Sequence, residues 1–113
     1  MHELSLANEV IDLASREAKK NNIDLVKEIV IEIGDLSGVE ADTFKSALEM
    51  IVKDTILEHA ELQLIRTSGK GKCNSCDREF EMKNRLDVCP LCSCFPSEIS
   101  GGQEFRVLSI AGD

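Results

Sequence analysis

From Leu4 to Ala18 the apolar positions Leu4, Ala7, Val10, Ile11, Ala14 and Ala18 recur at three- and four-residue intervals, with Glu9, Asp12, Arg16 and Lys19 between them. That spacing predicts an amphipathic helix with one face on a core. Asn21-Asn22 marks its end, because asparagine tolerates the left-handed conformation found just past a helix. A β-branched run from about Leu25, with Ile29, Ile31 and Ile33 alternating with Val30 and Glu32, predicts a strand closing at Gly34-Asp35. Ser37-Gly38-Val39-Glu40 sets a serine and a glutamate three apart, the pattern of a capping box. A second helix should follow, burying Phe44, Ala47, Leu48, Ile51 and Val52 and fading near Glu58-His59. Glu61 to Thr67 alternates again, and Phe105 to Ile110 does so near the end of the chain, which predicts two more strands.

The order helix, strand, helix, strand, insert, strand predicts an α+β fold, two helices on a small three-stranded sheet with an inserted zinc-ribbon module. The insert carries the cysteines and is flanked by Ser68-Gly69-Lys70-Gly71 and Gly101-Gly102, which read as hinges because glycine leaves the backbone free. The expected domains are therefore residues 1-67 plus 103-113, discontinuous in sequence, and residues 68-102.

Composition narrows the function. A chain of 113 residues holds one small core, or a core plus a module stapled by something else. Its formal net charge of −8 argues against nucleic acid, and its only four aromatic residues, all phenylalanine, argue against a stacking platform for bases. No segment is apolar for long enough to span a bilayer, and acidic Glu3, Glu9 and Asp12 among the first apolar residues do not suit a signal peptide. A cytoplasmic protein is expected. Five cysteines between Cys73 and Cys94 then point to a metal rather than to disulfides.

Cys73-Asn74-Ser75-Cys76 and Cys89-Pro90-Leu91-Cys92 are two Cys-x-x-Cys pairs twelve residues apart. Each pair can aim two thiolates at one ion from a tight turn, so the two together supply a sulfur tetrahedron for structural Zn(II). The insert has few large apolar side chains, chiefly Phe80, Leu86, Val88, Leu91 and Phe95, so metal binding rather than a core must fold it. Its five bases and five acids cancel, and four thiolates on one Zn(II) leave the module slightly negative, which does not suit a nucleic-acid-binding ribbon. Cys94 stays open between a spare buried thiol, an alternative to Cys92, and a redox-sensitive group.

The start of the chain offers a second donor set. In Met1-His2-Glu3 the α-amine, the His2 backbone and ring nitrogens and the Glu3 amide nitrogen can close fused chelate rings around one ion. All-nitrogen, square-planar donors suit Ni(II) or Cu(II). The bulk of His2 makes the terminus a poor substrate for removal of the initiator methionine. No nucleophile with an adjacent base, no phosphate-cradling glycine loop and no paired catalytic carboxylates stand out, so no enzyme is expected.

An amino-terminal Met1-His2-Glu3, the Gly34-Asp35 strand end, the Val39-Glu40 entry to the second helix, both cysteine pairs and the closing strand, in that order, resemble the HypA/HybF family of hydrogenase-maturation nickel metallochaperones. The resemblance covers essentially the whole chain. It implies a protein that binds Ni(II) as cargo through Met1, His2 and Glu3 and delivers it, with a HypB-type GTPase, to the [NiFe]-hydrogenase large-subunit precursor. It also implies a structural zinc on Cys73, Cys76, Cys89 and Cys92, and it is compatible with a weak homodimer. Glu40 falls at an acidic position near the nickel in the family. Two readings of it stay open, a partner of the nickel or a cap favouring the helix dipole. Some relatives that also serve urease carry histidines beside the cysteine pairs. Here Asp77 and Ser93 stand there, and the one histidine besides His2 is His59, so a histidine switch at the zinc has no residues to carry it. The alternative from another class is a zinc-ribbon protein-interaction adaptor without nickel transfer.

Overall fold

The computed structural model describes residues 2–113 and, of His2, the backbone alone. Eight elements follow in order: α1 (His2–Lys20), β1 (Val26–Gly34), α2 (Ala41–Ile51), β2 (Glu61–Thr67), β3 (Gly69–Cys73), β4 (Glu79–Met82), β5 (Pro96–Gly101) and β6 (Phe105–Gly112). Two three-stranded sheets result, in the orders β2-β1-β6 and β4-β3-β5. The expected helix and strand order holds, and the insert adds a sheet of its own. The chain resolves into two compact units, Met1–Ile31 with Glu40–Ile65 and Arg106–Asp113, and Glu32–Val39 with Arg66–Phe105.

In the first unit, α1 buries Glu3, Ala7, Val10, Ala14 and Ala18, a run of three- and four-residue steps. The phase is one residue off the apolar reading at the start, since Leu4 is 42% exposed while Glu3 is 9% exposed. Helix geometry decides this: Glu3 lies one turn before Ala7 on the same face, and Leu4 falls beside it. The far end of α1 closes as expected at Asn22 (φ 57), whose left-handed backbone lets the Ile23 amide return to the Ala18 carbonyl at 2.8 Å. On β1 the expected face, Ile29, Ile31 and Ile33, is buried together with Val26. The amide of Gly34 donates to the carbonyl of Glu104 and that of Asp113 to the carbonyl of Leu25, so numbering rises on β1 as it falls on β6 and the two run antiparallel.

Two details of α2 differ from expectation. Ser37 does not cap it: the Ser37 hydroxyl accepts from the Val39 amide at 3.2 Å, and Glu40 is the N-cap, its carboxylate accepting from the Asp42 amide at 3.3 Å. The helix also stops at Ile51 rather than near Glu58-His59. Asp54 takes a left-handed conformation (φ 64), while the Thr55 hydroxyl donates to the Val52 carbonyl at 2.6 Å and accepts from the Leu57 amide. These local bonds offer the backbone an alternative to the helix, and Leu57 is buried at the end of the turn. Phe44 and Leu48 form the buried stripe of α2, with Ala47, Ile51 and Val52 half-buried.

In the second unit, β3 pairs antiparallel with β4 (Gly71 opposite Phe80) and with β5 (Gly71 opposite Ile99). The expected glycine hinge is instead the central strand of this sheet. A Cβ on Gly69 would lie 2.6 Å from the Met82 carbonyl oxygen, and one on Gly71 would lie 2.5 Å from Met82 Sδ and 2.9 Å from Pro96 Cβ. These glycines serve close approach, not freedom. The unit's core is Leu36, Cys73, Phe80, Met82 and Cys89, with Cys76, Cys92, Cys94 and Ile99 packed against it. Leu36 comes from the segment after β1, its amide bonded to the Gly102 carbonyl at 2.7 Å and its carbonyl to the Arg85 guanidinium at 2.9 Å. The cysteine-bearing unit is thus wider than residues 68-102.

Candidate metal centre

Each cysteine pair sits in the same turn. The Cys73 amide donates to the Arg78 carbonyl (2.8 Å) and the Asp77 amide to the Cys73 carbonyl (3.0 Å). The Cys89 amide likewise donates to the Cys94 carbonyl (2.9 Å) and the Ser93 amide to the Cys89 carbonyl (2.8 Å). Asp77 (φ 60) and Ser93 (φ 59), the residues after the second cysteine of each pair, are both left-handed. That reversal folds the chain back so that both thiols of a pair leave on one side.

The four sulfur atoms of Cys73, Cys76, Cys89 and Cys92 lie within 4.8 Å of one another. Across the turns, Cys73 Sγ is 3.0 Å from Cys92 Sγ, and Cys76 Sγ is 3.7 Å from Cys89 Sγ. A tetrahedral ion with metal–sulfur bonds of about 2.3 Å needs sulfur–sulfur edges of roughly 3.8 Å, so small side-chain adjustments would seat one. Cys73 and Cys89 are buried, Cys76 and Cys92 half-buried. The crowding separates the thiols into two kinds. A hydrogen bond from Cys92 pulls the Cys73 thiol down to about 6, helped by the Cys76 and Ser75 amides. The same bond pushes Cys92 up. Cys89 is lowered, chiefly by the Leu91 amide. Cys76 is raised overall, because burial and the neighbouring Cys73 and Cys89 thiols outweigh the Arg78 amide that draws it down. Four close thiols cannot all ionise without a cation among them, and a soft divalent ion such as zinc or iron is the partner such a set takes.

Cys94 is half-buried beside this group, accepting from the Ser75 hydroxyl at 3.4 Å. It is not one of the four sulfurs that close on a single point. Of Phe80, Leu86, Val88, Leu91 and Phe95 in the insert, only Phe80 is buried. Leu86 is 79% exposed, Leu91 66% and Phe95 64%, and Val88 is exposed as well. Met82 and Leu36 take their place. An alternating Phe80-Glu81-Met82 could have pointed to Met82, but nothing in the sequence linked Leu36 to the cysteines.

At the other donor set, Met1 and the His2 side chain lie outside the described residues. The backbone is informative: α1 begins at His2. Amides in the first turn of a helix have no intrahelical acceptor, so the nitrogens of His2 and Glu3 are not held in the helical ladder. The Glu3 carboxylate accepts from the Glu40 amide at 3.3 Å. Glu40 itself is exposed, its carboxylate turned to the Asp42 amide. His59 lies in the turn after α2, its ring 3.6 Å from Glu58, and belongs to neither donor set.

Comparison with known proteins agrees with these features. The family described as "Hydrogenase/urease nickel incorporation, metallochaperone, hypA" matches residues 1–112. The hydrogenase maturation factor HypA of Francisella philomiragia is 38% identical over 110 residues, spanning 97% of both chains. The protein of the same name from Geobacter metallireducens is 36% identical over 107 residues, spanning 95% of this chain and 94% of its own. The solution structure of the Ni metallochaperone HypA from Helicobacter pylori superposes with a TM-score of 0.66 at 28% identity, covering 97% of this chain and 96% of that one. No helix among the described residues is long and apolar enough to cross a membrane.

Proposed function

The chain belongs to the HypA family of nickel-incorporation metallochaperones in hydrogenase maturation, and from that premise we propose that it carries Ni(II) on Met1, His2 and Glu3. It delivers the ion, with a HypB-type GTPase, to the [NiFe]-hydrogenase large-subunit precursor in the cytoplasm. It catalyses no reaction itself. The donors are the Met1 amine, the His2 imidazole, and the His2 and Glu3 amide nitrogens, each of which would release its proton to solvent as nickel binds. The reading is supported by the family match over residues 1–112 and by the place of His2 and Glu3 in the first turn of α1, where amide nitrogens have no intrahelical acceptor. A site built from a chain end is open on several sides, so an acceptor's thiolates can displace its donors one at a time.

Zn(II) occupies the Cys73, Cys76, Cys89 and Cys92 tetrahedron in this reading, with a structural role. It compensates four crowded thiols and closes the second unit. The adaptor reading has one observation in its favour, the exposed Leu86, Leu91 and Phe95 beside the second cysteine pair. It predicts protein contacts without nickel.

Metal analysis after nickel exposure separates the two readings. Three forms are compared: the untagged chain, a form with one extra amino-terminal residue, and His2→Ala. The carrier reading requires one zinc in all three and nickel only in the untagged wild-type form. Equal nickel in the extended form would sink it.

A further inference from the structure

Glu3 stands where the helical phase calls for an apolar residue. It is 9% exposed, on the same face of α1 as Ala7 and Val10. A carboxylate is costly to bury unless it is bonded. Its oxygen Oε2 takes the amide hydrogen of Glu40 at 3.3 Å. Glu40 is the N-cap of α2, and its own carboxylate takes the Asp42 amide. Two carboxylates thus serve the amino-terminal end of α2, where orphan amides and the positive end of the helix dipole favour them. The Glu3 bond differs from the Glu40 bond in being long-range: it fixes the first turn of α1 to a second helix.

This matters for nickel because of backbone geometry. A chelate ring closed by the nitrogens of His2 and Glu3 passes through the His2 N–Cα–C–N torsion and is nearly flat. The helix holds that torsion at about −42°. Loading therefore draws His2 out of helical conformation. Without an anchor the unwinding would run on into the following residues, and the Glu3 nitrogen would lose its fixed place. The side chain of Glu3 is held by another element, at the entry to α2.

We propose that Glu3 is a positioning residue for the nickel cargo, acting through its carboxylate bond to the Glu40 amide rather than as a carboxylate ligand. The bond stops the helix from fraying past residue 3 and keeps the Glu3 amide nitrogen where the chelate needs it. This deepens the carrier reading and rests on it. Glu40 then contributes its backbone, not its side chain, to the nickel end of the protein.

The test uses the untagged full chain with zinc bound, nickel titration by calorimetry, and hydrogen exchange of the Glu40 amide followed by NMR. Glu3→Gln keeps a carbonyl oxygen at the same reach, whereas Glu3→Asp keeps the charge and falls short by one methylene. The Asp and Ala variants should lose about tenfold in nickel affinity, a magnitude common when a group orienting a metal donor is removed, and should speed Glu40 exchange. The Gln variant should stay within about threefold of wild type on both readouts, with one zinc in every form. Loss of nickel in the Gln variant with retention in the Asp variant would make Glu3 a charged ligand and overturn the proposal. So would wild-type nickel affinity in the Ala variant while the Glu40 amide exchanges freely. Failure of the carrier reading shows separately, as a wild-type chain that binds nickel no better than His2→Ala.

Discussion

The two donor sets of this protein are built in opposite ways. The tetrathiol needs four side chains from two turns, the antiparallel pairing of β3 with β5 that brings those turns together, and a core that includes Leu36, Phe80 and Met82. The proposed amino-terminal set needs three consecutive residues, two of them in the first turn of α1. The first is expensive to assemble and enclosed on its inner side, since Cys73 and Cys89 are buried. The second is local and open. In the proposed reading this contrast lets one chain keep one ion and hand over another, because exchange rate follows how much structure must move before a donor is displaced.

The largest expected effect tests the enclosed site. Cys73→Ser should abolish stoichiometric zinc and, because metal binding supplies about 10–16 kcal/mol in small zinc modules, melt the second unit. Loss of dispersed amide resonances from residues 66–105, with those of α1 retained, is the expected spectrum; a folded, zinc-loaded variant would break the contrast. Phe44→Ala should act the other way round, costing about 3–5 kcal/mol in denaturant unfolding followed by helix signal while zinc stays bound, because Phe44 is fully buried on α2.

Leu36→Ala sharpens the boundary between the regions. Leu36 packs with the cysteines, so truncation should destabilise the metal-bearing unit by about 2–5 kcal/mol and hasten zinc loss to a chelator. Wild-type chelator kinetics would mean that Leu36 supports only the segment that carries it. The open site should respond to acid more than its enclosed counterpart. With an α-amine titrating near ~8 and an imidazole near ~6.5, protons compete for the nickel donors as pH falls, and affinity should drop at least about tenfold, roughly 1.4 kcal/mol, from about pH 7.5 to pH 6. A flat calorimetric profile would exclude an amine and imidazole site. The smallest effect belongs to Cys94→Ser, which should leave zinc stoichiometry unchanged, since Cys94 lies outside the four converging sulfurs. Loss of zinc in that variant would admit Cys94 to the ligand set.

The parts of this arrangement that were legible share one property: their physics is local. Helical spacing marks α1 and the buried face of α2, alternation marks β1, β2 and β6, and the Cys-x-x-Cys spacing marks the tetrathiol. Elements of the insert were not legible in the same way. Strand β3, Gly69–Cys73, has no branched apolar residue and looks like a linker; it is a strand because its glycines admit Met82 and Pro96 against the backbone. Leu86, Leu91 and Phe95 are exposed, and no local signal separates an apolar side chain that is covered from one that is not.

Sequence alone determined which four cysteines converge and the order of the main elements around the insert, because ligand spacing and apolar periodicity act over a few residues. Tertiary structure alone decided what lies across from what. It seated Leu36 beneath the cysteines, made a strand of a glycine-rich linker, and turned the carboxylate of Glu3 to the amide of Glu40, 37 positions away. Those outcomes depend on packing and hydrogen-bond closure between segments distant in the chain, where no local pattern carries the information.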